Sequence, residues 1–116
     1  MKSGATESSY QFLSQYYKFP EDVEVSHLPE EIIKSKKKYK ILWAHHAYDQ
    51  PVFLNFDHNT VDHIVSPSHW AKEQLVRFLK VPKEKISVIS NGVSDKFTFS
   101  ENKSKTFIYT SIPYKG

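Results

Sequence analysis

The sequence predicts an α/β fold, a mostly parallel sheet flanked by helices. Three observations carry that expectation. Apolar runs of strand length recur at Tyr39–Trp43, Val61–Val65, Ile86–Ile89 and Thr106–Thr110. The second and third of these enclose an amphipathic stretch, and strand, helix and strand within about 30 residues form a right-handed crossover unit. The composition is that of a folded domain, with 39% hydrophobic and 25% charged residues in a chain of 116. That length suits one domain rather than two, and that apolar content argues against bulk disorder.

Taken in order, the first element is a helix from about Thr6 to Lys18, with Ser9, Phe12, Leu13, Tyr16 and Tyr17 along one side. Val23–Val25 reads as a short edge strand and Glu30–Lys36 as a short helix. Tyr39–Trp43 is a buried strand directly after a run of lysines. In Val61–Val65 a histidine, His63, stands inside the strand, where a hydrogen-bonded core role is expected of it. The clearest helix follows, with Ala71, Leu75, Phe78 and Leu79 on one face and Lys72, Glu73, Arg77 and Lys80 on the other. Ser66-Pro67-Ser68 opens it with hydroxyl caps and a proline suited to a first turn, and Val81-Pro82 closes it. Ile86–Ile89 leads into Asn91-Gly92, the usual pair for positive φ and so first read as a turn. Residues 95–105 are polar and strand-free, the one linker-like stretch.

Sixteen basic against thirteen acidic residues give a net charge of +3. Five of the lysines, Lys34, Lys36, Lys37, Lys38 and Lys40, stand together; without them the balance is near neutral, so nucleic-acid recognition has no support. The run itself leaves two readings open, a solvated loop or a contact with phosphate or a membrane surface. The chain has no cysteine, which excludes disulfides, thiolate metal sites and a cysteine nucleophile. No apolar run approaches the length of a membrane span. MKSGATESS lacks the apolar region of a secretory signal. A cytoplasmic location is expected.

Four local patterns could carry chemistry. Ser3-Gly4-Ala5-Thr6-Glu7 puts a glycine at a helix start, where free N–H groups and the helix dipole suit either a phosphate or a simple cap. His45-His46-Ala47-Tyr48-Asp49-Gln50-Pro51 follows a buried strand, and the carboxyl ends of strands are where open α/β sheets bind ligands; local capping is the alternative. Val65–Trp70 and Ile86–Val93 complete the set, each explicable by caps and turns alone.

The order and spacing of the four resemble the N-terminal domain of GT-B glycosyltransferases, family-4-like, whose fold is a Rossmann-like parallel sheet. VSPSHWAKEQLVRFLKVPKEKISVISNGV is similar to the segment where a V-S-x-W/F helix precedes (V/I)P-x-E-K-I-x-V-I-x-N-G-(V/I). KYKILWAHHAYDQP resembles the K-x-I-L-W-x-H-H/D stretch ahead of it, and SGATE the glycine loop G-G/A-T-E. FIYTSIPYKG is similar to the first strand and K-G turn of the donor domain.

That resemblance implies sugar transfer from a nucleotide-sugar donor to a glycan, lipid or other acceptor, with retained anomeric configuration and without a cofactor or metal. It places the acceptor-side catalytic histidine at His45 or His46, with Asp49 and Gln50 as acceptor contacts. Gly4, Thr6 and Lys115 fall at the positions that meet the donor diphosphate, whose departure helix-start N–H groups and a lysine would stabilise. It divides the chain into an acceptor-side domain (1–98), a linker (99–105) and the first strand and turn of a donor domain (106–116). The strand ahead of the glycine loop and the acidic E-x7-E motif do not occur in the sequence. A fragment, inactive by itself, is the expectation.

Two other readings stand beside this one. His45, His46, Asp49, Asp57, His58, Asp62, His63 and His69 crowd into 25 positions and could serve a metal-dependent hydrolase, although no H-E-x-x-H or H-x-H occurs. A non-catalytic α/β module that forms homodimers through the surface meant for a missing domain is the third.

Overall fold

The structure is a computed structural model that describes residues 18–92 and 95–108. Four strands, β1 (Val23–Ser26), β2 (Tyr39–Trp43), β3 (His63–Ser66) and β4 (Ile86–Val88), lie side by side in chain order, and every neighbouring pair is parallel. Helix α1 (Pro29–Lys34) joins β1 to β2, and α2 (His69–Leu79) joins β3 to β4. The β2–β3 connection is built instead from two 3-10 turns, Pro51–Phe53 and His58–Thr60. This is the α/β parallel sheet that the strand and helix periodicities predict, with the Rossmann-like form that the resemblance implies.

Parallel neighbours must be joined by crossovers of one hand. Because the strand order advances in a single direction, all three crossovers fall on one face of the sheet. The core records this. Leu42, Ile64 and Ile86 pair across β2, β3 and β4, and they are buried together with Ile32 of α1, Phe53 and Leu75 of α2. The opposite face carries Val25, Ile41 and His63 in one row and Trp43, Val65 and Ser87 in the next. There His63 Nε2 lies 2.7 Å from Ser87 Oγ; the ring is hydrogen-bonded as expected but half-buried rather than in the core.

Several element ends differ from the sequence reading. Strand β3 begins at His63, not Val61. The Asp57 carboxylate accepts from Asn59 N–H at 2.9 Å and caps the turn before it, and Val61 N–H still closes that turn onto the His58 carbonyl. Helix α1 starts at Pro29 and stops at Lys34. At α2 the cap is Ser68, whose hydroxyl accepts from Ala71 N–H at 3.1 Å. Pro67 stands ahead of that cap rather than in the first turn. Phe78, expected on the buried face, is 46% exposed and stacks on Tyr48 with centroids 4.4 Å apart. The apolar stripe is wider than the helix's contact with the sheet, and the loop after β2 takes up the excess.

Neither Asn91 nor Gly92 adopts positive φ. Ile89 N–H remains bonded to the Ser66 carbonyl at 2.9 Å, so the chain leaves β4 still paired through Ile89. Positive φ falls instead at Asn55 (58°) and at Lys80 (57°), which ends α2 in the left-handed conformation. Thr106–Ile108 form no strand, and Phe107 and Ile108 are almost fully exposed. An apolar run becomes a strand only beside a ladder partner, and the described residues offer it none. Tyr109 and Thr110, residues 6–17 of the expected Thr6–Lys18 helix, and Gly4 and Lys115 lie outside the described residues, and Lys18 is not helical. No helix among those described is long and apolar enough to cross a membrane.

Candidate active site

In a parallel sheet every strand delivers its following loop to the same edge, so residues far apart in sequence converge there. Here that edge gathers His27 after β1, His45 and His46 after β2, and Ser68 and His69 after β3. The pairing of β1 with β2, which sets Ser26 opposite Leu42, puts the first two loops beside each other.

Strand β2 ends because Ala44 N–H still bonds the Val65 carbonyl at 2.8 Å, whereas His45 N–H turns back to the Trp43 carbonyl at 3.0 Å. The two histidines therefore meet different neighbours. His45 sets its ring edge-on to Trp43, centroids 4.8 Å apart, while the His46 ring stacks on His27 at 5.7 Å and 18°. Nε2 of His45 is buried and has no hydrogen-bond partner among the described residues. Burial, and then the neighbouring His27 and His46, hold the His45 pKa below the usual imidazole value. Its imidazole stays neutral at pH 7, with one buried ring nitrogen uncommitted.

One hollow touches this cluster and a second lies between other elements. His46, Ala44, Tyr48, Trp70, Gln74 and Leu75 enclose a pocket of about 20 Å³, room for about one water. A groove of about 420 Å³ runs between α1 and residues 51–56, lined mainly by Pro29, Ile33, Pro51, Val52, Leu54 and Phe56. That volume is within the usual range for small-molecule sites. Its walls begin two residues after His27 and directly after Gln50.

The other sequence-stated site residues fall less centrally. Asp49 and Gln50 stand exposed in the turn beyond the histidines, where Gln50 N–H bonds the Ala47 carbonyl at 3.0 Å. His27 was missed altogether: a single histidine after a four-residue edge strand carries no local signal, and only the pairing of β1 with β2 brings it to His46. The crowd of histidines and aspartates disperses. Asp57 caps a turn, Asp62 accepts from Lys40 N–H at 2.8 Å and His63 bonds Ser87. No group of three or more metal-ligating side chains forms among the described residues. Of the lysine run, Lys37 pairs with Glu24 at 3.4 Å and Lys38 lies over the Tyr39 ring at 5.0 Å.

A one-directional parallel sheet with flanking helices defines the class, an α/β Rossmann-like domain. Within that class the family is specific. The profile of the family described as Glycosyltransferase Family 4 matches residues 8–97, most of the chain, and the protein belongs to that family. No curated protein and no solved structure matches it. Membership makes its function one of the glycosyltransferase kind.

Proposed function

We propose that this chain is the acceptor side of a GT-B enzyme that moves a sugar, with retained configuration, from a nucleotide-sugar donor to a glycan, lipid or other acceptor. The observation that carries the proposal is the uncommitted, neutral His45 at the carboxyl edge of the sheet. A neutral imidazole accepts a hydrogen bond from the acceptor hydroxyl and so holds that oxygen toward the sugar carbon. His46, fixed by its stack on His27, forms the wall beside it. The groove between α1 and residues 51–56 offers mostly apolar surface with Glu30 and Asn55 as polar groups, which suits the body of an acceptor carried on an apolar group. Asp49 and Gln50 would meet the acceptor from the loop. Gly4, Thr6 and Lys115 would face the donor diphosphate, whose charge they stabilise without a metal.

In this proposal the donor nucleotide is bound chiefly by a further domain, and the chain alone transfers no sugar, because transfer needs both substrates held in one geometry. The test is calorimetry and histidine NMR of the chain with a panel of glycosides, glycolipid head groups and nucleotide sugars. Acceptor binding that shifts the His45 and His46 signals, without donor binding tighter than millimolar, is expected. Micromolar donor binding with sugar release would overturn the division of labour, and acceptors that leave both histidines undisturbed would overturn the site.

A second reading, self-association, has one observation behind it. Phe97, Phe99, Phe107 and Ile108 are 78–99% exposed, an apolar surface suited to a partner copy. Sedimentation that shows a monomer at high concentration would rule it out.

A further inference from the structure

We infer that His27 is a positioning residue of this site: its ring, stacked on His46, fixes the His45–His46 loop. The inference rests on the acceptor-site reading above, and it concerns a residue that no sequence motif assigns.

The geometry comes first. His27 is the first residue past β1 and His46 the third past β2, on strands that are direct neighbours. Their rings are nearly parallel, 5.7 Å apart. Ala44 N–H keeps the last bond to the Val65 carbonyl, and past it the chain leaves the ladder, with His45 N–H folded back on the Trp43 carbonyl. Two ring contacts add to these backbone bonds: Trp43 against the edge of His45 on one side, His27 against the face of His46 on the other. Removing the second contact takes away one constraint on the His46 ring and, through the backbone, on the direction of the His45 ring nitrogen.

The electrostatics point the same way. The groups that act on His45 are His27, from the β1–α1 loop, and His46, from its own loop; both, after burial, oppose its protonation. An imidazole at position 27 thus does what a phenyl ring of similar shape could not. It stacks, and it also penalises a proton on His45, keeping the lone pair that an acceptor hydroxyl would use.

The experiment is a pH titration of the histidine-labelled chain, read by ring ¹⁵N and ¹³C signals with ring-to-ring NOEs, in wild type, His27→Phe and His27→Ala. No ligand is added, so its outcome is separate from whether the acceptor reading holds. Wild type is expected to show His27–His46 ring NOEs and a His45 midpoint below 6.5. His27→Phe keeps the ring contact with His46 and shifts the His45 midpoint upward. His27→Ala shifts that midpoint upward as well, and loses the fixed His46 ring position, seen as broadened or doubled signals. An unchanged His45 midpoint in either variant overturns the inference, as does a wild-type His45 that titrates at or above 6.5 or the lack of ring NOEs. Those two wild-type readings decide the matter even where a variant does not fold.

Discussion

Two histidines on neighbouring strands of one sheet have opposite fates. His63, on the face of the sheet, has its ring nitrogen 2.7 Å from the Ser87 hydroxyl across the β3–β4 ladder. His45, one residue past its ladder's end, keeps a buried nitrogen with no partner among the described residues. Within the ladder, neighbours repeat at fixed spacing, so a polar side chain meets a partner and contributes to stability. Past the last ladder bond that regularity stops. A buried polar group there costs stability unless something else, such as a ligand, completes it.

Predictions that strain this comparison run from the body of the sheet outward. Ile64→Ala empties the centre of the Leu42–Ile64–Ile86 row, which is fully buried. It is expected to cost about 2–5 kcal/mol in denaturant unfolding; a loss under 1 kcal/mol would mean the row is not the core. Ser68→Ala removes the α2 cap and is expected to cost about 1 kcal/mol. It marks a serine at the carboxyl edge whose work is structural, and Ser68→Asp, which restores a cap, should recover most of the loss.

His63→Leu loses the bond to Ser87, which is itself exposed and can turn to water. Chemical denaturation should show a loss of about 1 kcal/mol or less, with binding of any acceptor unaffected. His45→Gln should instead abolish acceptor binding. The reverse pattern, binding lost at position 63 and kept at 45, would exchange the two assignments.

The smallest effect is one of pH. The His45 pKa is lowered on folding, by burial first and then by His27 and His46. Between that lowered value and about 6.5, the unfolded chain binds a proton at this position that the folded chain does not. Stability therefore rises with pH across that window and falls on acidification through it. Thermal melts of wild type and His45→Gln from acid to neutral pH should diverge there, wild type showing the steeper loss; parallel curves would mean His45 is not held neutral by the fold.

The sequence alone determined the fold class and most of the sheet. Tyr39–Trp43 is the strand it was read as, β1 and β4 differ only at their ends, and α2 is legible from its apolar spacing and serine cap, because strand and helix periods are local properties of the chain. It also located His45 and His46, since a strand's end can be read from where its apolar run stops. Tertiary structure decided the rest. It set strand order, which put every connection on one face; it turned Val61 from strand into the exit of a capped turn; and it left Thr106–Ile108 outside the sheet for want of a ladder partner. It alone brought His27 to His46 and gave His45 its orphaned nitrogen. Contacts between loops at the ends of adjacent strands depend on which strands pair, and no spacing within either segment encodes that.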